Sequence, residues 1–487
     1  MLEFGGYRVK HVTHITEVGH LTSDPGIGEG RMEEQVKRLA DRFDPLATRW
    51  FTQIPGPNPI VVRGGVGEWD EACIEGGDIF RDYREGRQVY YLLYHGTSKD
   101  QARWPRGYRI GVAMATHPLG PFTKASQNPI LSQGPEESWD DTHVACPCII
   151  KYGPDKYVMW YSGRDASKEH PKWSVGIATA SHPLGPWKKH AGNPVMEDFG
   201  YVGGVVLVDG TYYMYNAHPI SSISPDYSPF SLATATDPYG PWELYESNPV
   251  LAPSGWGAWD DGGYSEAKVV YRDGVFHTFY GGSKQHAVRI RSLESIGYAF
   301  SRDGYHFARH VDNPVASREK NPDASAFAEV QCLFEPPFVY LYHTLRYLSS
   351  EDPGVEDLGV QVLATSTPFK LSMPLLHLDV FPAGGTTELS ACPPASLGTI
   401  SGLALSVRCA YDGQAQAGVR VHVRASCNGF DYDSADWATF DNDFAAGQVV
   451  GKTVGVSARP QFIKVVVENL DPDHSVTRLV VSATLSS

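Results

Sequence analysis

Apolar and polar positions alternate in short runs along most of this chain. Several runs are also rich in tyrosine, as in Val89-Tyr90-Tyr91-Leu92-Leu93-Tyr94, Tyr157-Val158-Met159-Trp160-Tyr161 and Tyr212-Tyr213-Met214-Tyr215. Runs of this length and composition predict β-strands. A second set follows them, Ile110-Gly-Val-Ala-Met-Ala-Thr116 and Val175-Gly-Ile-Ala-Thr-Ala180. Each then meets a turn: His117-Pro-Leu-Gly-Pro-Phe122, His182-Pro-Leu-Gly-Pro-Trp187 or Asp237-Pro-Tyr-Gly-Pro-Trp242. Proline fixes φ there and glycine supplies a positive φ. Ser301-Arg-Asp-Gly-Tyr-His-Phe307 stands in the same place later on.

These elements repeat. An Asn-Pro pair followed by apolar residues occurs at Asn58, Asn128, Asn193, Asn248 and Asn313, at intervals of 70, 65, 55 and 65 residues. Four predicted strands per interval read as propeller blades, and five intervals as five blades. The expected fold is all-β: a five-bladed β-propeller over 1–374, with an N-terminal extension at 1–50, then a β-sandwich accessory domain over 375–487. Within the extension, Val36, Leu39 and Phe43 have helical spacing across 31–43. In the last region, Val419, Val421 and Val423 alternate with polar residues.

Composition narrows the function. The chain has 487 residues, 42% hydrophobic and 20% charged, enough for a packed core. Its net charge of −15 argues against a nucleic-acid partner, which requires a basic face. No apolar run reaches membrane-spanning length, and the N-terminus lacks a signal-peptide pattern, so a cytoplasmic protein is expected. The seven cysteines are odd in number and mostly sit in strand-like runs, which fits buried thiols in a reducing compartment. Cys146-Pro-Cys148 has no second cysteine pair to complete a zinc set.

In a propeller, inner strands begin at one mouth of the central channel, and the antiparallel second strands end there. Alignment on Glu-x3-apolar-x-Arg-Asp gives Glu75 and Glu266 equivalent positions, with Glu329 in the fifth blade. Cys146 and Val202 take that place in blades two and three. Asp140, Asp141 and His143 lie just upstream in blade two, Glu197 and Asp198 in blade three, Asp260 and Asp261 in blade four. The second strands end near Lys99, Arg164, His218, Lys284, His343 and Arg346. Converging carboxylates suit glycoside hydrolysis, which needs one protonated acid and one ionised base or nucleophile. Burial and mutual repulsion separate their pKa values. The cations would hold carboxylates ionised or bind an anionic ligand. One member of each Asp-Asp pair is expected to cap a turn.

The pattern of Asn-Pro, inner strand, tyrosine strand and Ala-Thr-x-x-Pro-x-Gly-Pro-Trp resembles the five-bladed propeller glycosidases, family 43 and the related families 32, 68, 117 and 130. Thr179-Ala-Ser-His-Pro-Leu-Gly-Pro-Trp187 and Thr234-Ala-Thr-Asp-Pro-Tyr-Gly-Pro-Trp242 carry the likeness, which covers about residues 50–370. It implies an acid Glu on blade four, matched by Glu266 in Tyr-Ser-Glu-Ala. It also implies a base Asp on blade one, where this chain has Glu75 with Asp70 and Asp78 nearby. The pKa-tuning Asp implied on blade three has no counterpart in register, and Asp198 is the nearest substitute. Ser426-Cys-Asn-Gly-Phe-Asp-Tyr432 resembles a turn of discoidin-like carbohydrate-binding modules, against the plainer reading of a buttress.

The expectation is therefore an exo-acting glycoside hydrolase on a small glycoside or oligosaccharide, a furanoside among the candidates. Glu266, Glu75 and Asp198 are the expected catalytic residues. Glu329, His143, Asp141, Arg164, His218, Lys284 and Arg346 are expected to bind substrate, and Trp160 to stack on a sugar face. No catalytic metal or organic cofactor is expected, although the same carboxylates would suit a structural Ca²⁺. Sequence leaves oligomeric state open. The competing readings are a glycoside phosphorylase, a uronate-specific hydrolase or lyase, and a propeller that only binds sugar.

Overall fold

The computed structural model describes residues 44, 46–84, 86–165, 172–217, 229–284, 295–320, 324–347, 355–398 and 400–487. The helical pattern at 31–43 and His218 lie outside them. No α-helix is present among the described residues, and no helix is long and apolar enough to cross a membrane.

Five antiparallel sheets follow one another. The first runs Cys73–Arg84, Arg87–Thr97, Arg109–Ala115, Thr123–Lys124; the second His143–Gly153, Lys156–Arg164, Ser174–Ala180, Lys188–Lys189. The third runs Val202–Val208, Thr211–Asn216, Ser231–Ala235, Glu243–Leu244. In the fourth, Gly263–Tyr264 and Val269–Arg272 both pair with Val275–Ser283, which is followed by Ser295–Ser301 and Ala308–Arg309. The fifth holds Ala324–Glu335, Phe338–Tyr347 and Glu356–Ala364, and takes Thr52–Pro55 as its outer strand. The start of the chain thus completes the last sheet. Inner strands of successive sheets lie side by side, and the fifth returns to the first, closing a ring.

The repeated residues explain why the sheets form. Each Asn-Pro asparagine uses its side-chain amide as an extra strand residue. Asn128 accepts from the Val112 amide (3.0 Å) and donates to the Val112 carbonyl (2.9 Å). Asn193, Asn248 and Asn313 do the same to Ile177, Leu232 and Tyr298. Asn58 reaches Val360 of the fifth sheet, so each Asn-Pro fastens the blade before it.

A second device recurs in sheets one, two and four. Trp69, Trp139 and Trp259 lie against Tyr94, Tyr161 and Tyr280, at ring separations of 5.6, 5.7 and 5.8 Å. The aspartate after each tryptophan accepts from that tyrosine's hydroxyl and pairs with Lys124, Lys189 or Arg309. The third strand carries glycine beneath the indole. A Cβ on Gly111 or Gly176 would lie 2.7 or 2.6 Å from the Trp ring, nearer than real side chains approach. Asp70, Asp140 and Asp260 are thereby buried structural anchors.

The C-terminal region forms two four-stranded sheets. One is Lys370–Phe381, Val476–Ser486, Gly402–Tyr411, Val449–Val456; the other is Ala395–Ser396, Phe462–Asn469, Val419–Ser426, Ala438–Asp441. The first of these strands begins at Lys370, five residues before 375. Val419, Val421 and Val423 face inward, and their apolar cluster continues through Phe369 and Phe338 into the first and fifth ring sheets. All seven cysteines are free, and all but Cys427 are buried.

Candidate active site

The amide of Gly76 donates to Thr344 Oγ1 (2.9 Å), that of Cys146 to His95 Nδ1 (3.4 Å) and that of Val202 to Ser162 Oγ (3.1 Å). Each time the inner strand takes its bond from the second strand of the preceding sheet, so Gly76, Cys146 and Val202 are equivalent. Glu329 shares Cys146's position and its φ of +48°. Glu75 stands one residue earlier, opposite His95, as Ala328 stands opposite Thr344. The expected equivalence of Glu75 with Glu329 is therefore off by one. Both inner strands insert one extra residue, so the slip lies at the hairpin: Asp82 faces Val89 as Glu335, not Pro336, faces Phe338.

The carboxylates still meet. Glu75 accepts from the Tyr108 hydroxyl (2.6 Å) and lies 3.2 Å from His95 Nε2. Burial pushes its carboxyl up, but His95, Tyr108 and the Arg346 charge outweigh this and bring it down to about 2. Glu266 is raised to about 7 by burial and then by Glu75, and it is hydrogen-bonded to Glu329. Glu329 is pushed far up by burial, Glu266 and Glu75, and its Oε2 is buried with no hydrogen-bond partner among the described residues. Glu356 is held by Arg346 and raised to about 7 by burial and Glu75. Tyr201 is driven up by burial and the charges of Glu266, Cys146, Glu75 and Glu329. One end of the ring thus carries a firmly ionised carboxylate beside carboxyls that keep their protons near neutral pH.

Below the cluster, Lys268 of the fourth sheet reaches across to Asp78 of the first, which also accepts from the Ile149 amide (2.8 Å) in the second. This ion pair ties three sheets together across the centre of the ring. Burial works against the Lys268 ammonium, but the Asp78 charge prevails and holds it protonated.

Of the expected residues, the structure brings together Glu266, Glu75, Glu329 and Arg346. His143 lies beside them: its Nδ1 accepts from the Tyr108 amide (3.2 Å), and burial with Arg164 lowers its pKa to about 4. Arg164 pairs in register with His143, its guanidinium 5.6 Å from the Trp173 ring centre.

Others are placed elsewhere. Trp160 is 0% exposed, packed between the second and third sheets with its Nε1 donating to the Pro238 carbonyl, so no sugar can stack on it. Asp141 accepts from the Glu137 amide and the Thr142 hydroxyl, a loop-capping role. Asp198 pairs with Lys172 (3.1 Å). Lys284 is exposed just past its strand. His343 is buried, its Nδ1 on the Thr344 carbonyl. Sequence reasoning passed over Glu356, His95, Tyr108 and Tyr201. His95 precedes Gly-Thr-Ser-Lys99, and the nearby lysine drew attention from it.

Cys73, Glu75 and Glu356 bring ligand atoms within 4.8 Å of one another. This set does not fit Ca²⁺, which takes six to eight oxygens. One donor is a thiol that burial keeps protonated. Both carboxylates are already engaged, by Tyr108 and His95 on one side and Arg346 on the other.

No protein-family model matches the chain. Over 50 residues it is 46% identical to a cysteine–tRNA ligase of Burkholderia lata, covering 10% of this chain and 11% of that protein. Over 98 residues it is 28% identical to a 1,2-β-oligomannan phosphorylase of a Thermoanaerobacter species, covering 20% and 33%. The chain thus spans about a tenth and a third of the length of these curated relatives. Among solved structures, it is similar to a family GH32 β-fructofuranosidase of Bombyx mori at 12% identity and a TM-score of 0.45, covering 95% of this chain and 99% of that one. Another similar structure is a family-43 glycoside hydrolase, at 19% identity and a TM-score of 0.43, covering 61% and 92%. At such similarity the chemistry has to be read from this chain's own residues.

Proposed function

We propose that this protein is a glycoside hydrolase, a five-bladed β-propeller with a C-terminal β-sandwich, exo-acting on a small glycoside or oligosaccharide. The observation that carries the reading is the split in proton affinity at the mouth of the ring, with Glu75 lowered to about 2 and Glu266 raised to about 7. Glycosidic cleavage needs this pair of states at one pH. Glu266 donates its proton to the leaving oxygen as the bond to the anomeric carbon breaks. Glu75 either takes a proton from the attacking water or attacks that carbon itself. Burial and Glu75 raise the proton affinity of Glu266 against the opposing hydrogen bond from Glu329, and His95, Tyr108 and Arg346 keep Glu75 ionised. Turnover of aryl furanosides, pyranosides and uronides by the wild type and Glu266→Gln tests the reading. Clear activity lost in the variant supports it, and full activity in the variant refutes it.

Phosphorolysis is the second reading. It draws on the 98-residue likeness to a phosphorylase and on Arg164, whose Nε is buried without a hydrogen-bond partner among the described residues. A phosphate seated there would replace water as the nucleophile, and turnover would then require added phosphate.

A further inference from the structure

At the end of the ring away from the carboxylates, the turns after Arg272 and Glu335 flank a cavity of about 300 Å³. The segment before Thr52–Pro55, the outer strand of the fifth sheet, forms another wall with Leu46 and Arg49. It is pinned in place: the Ala47 carbonyl accepts from the Val311 amide (3.1 Å) and the Arg49 carbonyl from His310 Nε2 (2.7 Å). Phe51 packs edge-on against Phe279 and Tyr298. Arg49 is thereby delivered to a cavity that Arg272 and Arg302 also line.

Two of these guanidinium groups are already oriented. Arg272 contacts Asp273 (3.1 Å) and the Phe334 carbonyl (3.3 Å), and Arg302 contacts both oxygens of Asp44 (3.2 and 3.3 Å). Arg49 has no ion pair among the described residues. The buried floor is His277, bonded to the Tyr298 hydroxyl (2.7 Å). Burial and Arg49 bring its pKa down to about 4, so it stays neutral. Phe334 and Phe338 supply apolar surface. Three arginines around one recess stand out in a chain of net charge −15. Asp273 and Asp44 already face Arg272 and Arg302, which leaves Arg49 as the uncompensated cation of the recess, and planar guanidinium groups match a phosphate's oxygens. A recess of this volume lies at the small end of ligand pockets.

We propose that this cavity is a second binding site, for a phosphate group carried either as free phosphate or on a small sugar phosphate, with Arg49, Arg272 and Arg302 as its anion ligands. The site is separate from the carboxylate cluster and does not depend on the reading given to that cluster.

Calorimetric titration of the full chain with inorganic phosphate and with a hexose 1-phosphate tests it, on the wild type, Arg49→Gln, Arg302→Gln and Arg164→Gln. The expected result is saturable binding weakened about tenfold or more in Arg49→Gln and Arg302→Gln, and unchanged in Arg164→Gln. Arg302 is largely exposed, so its replacement leaves folding intact. Tighter binding of the hexose phosphate identifies a sugar phosphate as occupant, and equal binding identifies phosphate alone. Three results overturn the proposal: no saturable binding, less than about threefold weakening in both cavity variants, or loss confined to Arg164→Gln. The last would seat the phosphate at the catalytic mouth. Failure of the glycosidase reading would show separately, as turnover unaffected by Glu266→Gln.

Discussion

Raising the proton affinity of Glu266 has a cost in stability that can be measured. Its carboxyl moves from an ordinary 4.5 to about 7 on folding, driven by burial and then by Glu75. The native state therefore binds the proton more tightly than the unfolded chain. Below pH 4.5 both states are protonated and the site costs nothing. Between pH 4.5 and 7 the unfolded state releases the proton first, so stability falls as pH rises. Above pH 7 the loss is complete. At about 1.4 kcal/mol per tenfold change in proton affinity, it reaches about 3 kcal/mol. Glu266→Gln keeps the shape and removes the titration. The variant should match the wild type near pH 4.5 and exceed it by about 3 kcal/mol at pH 8. Urea unfolding of both proteins at the two pH values reads this difference, and Glu329 and Glu356 titrate in both. A difference that stays constant with pH, or grows toward acid, would refute the reasoning.

Removing one partner of the pair spanning the ring, Lys268→Met, strands the buried Asp78 carboxylate and should cost about 3–5 kcal/mol in urea melts; adding Asp78→Asn should restore most of it. Tyr108→Phe takes the 2.6 Å donor from Glu75, so the acid limb of the kcat/KM profile should move up by about one pH unit; an unmoved limb would remove Tyr108 from the site. Asp140→Asn should cost about 1–3 kcal/mol, because it weakens a buried charged anchor, while kcat per folded molecule stays the same. Trp160→Phe should lower the melting temperature and leave KM unchanged, whereas a sugar-stacking residue would show the reverse.

The repeats were legible because they rest on local chemistry. An asparagine that bonds a strand some 15 residues back must recur wherever a sheet ends, and its proline marks the turn. The meeting of Glu266 with other carboxylates was legible for the same reason, since inner strands begin at one mouth. Register was not. The residue that matches Asp82 across the hairpin repeat is Glu335 and not Pro336, which moves Glu75 one place from Glu329, and nothing in composition signals it. The Trp-Asp pairs looked like candidate acids because an anchoring aspartate and a catalytic one are the same residue. Only the tyrosine hydroxyl and the lysine or arginine on Asp70, Asp140 and Asp260 tell them apart. Trp160 misled because both faces of a tyrosine-rich second strand are buried, so alternation does not say which face meets the mouth. Glu356 lies in no repeated motif and becomes visible only once Arg346 is seen against it.

The central claim is that Glu266 protonates a glycosidic leaving group. It is tested most directly by comparing kcat/KM of the wild type and Glu266→Gln on two substrates that share a sugar, one with a poor alkyl leaving group and one with a dinitrophenyl group that departs without protonation. The account predicts a loss of about 10²–10⁴ on the alkyl glycoside and a small loss on the activated one. Equal losses on both, or none on either, would contradict it.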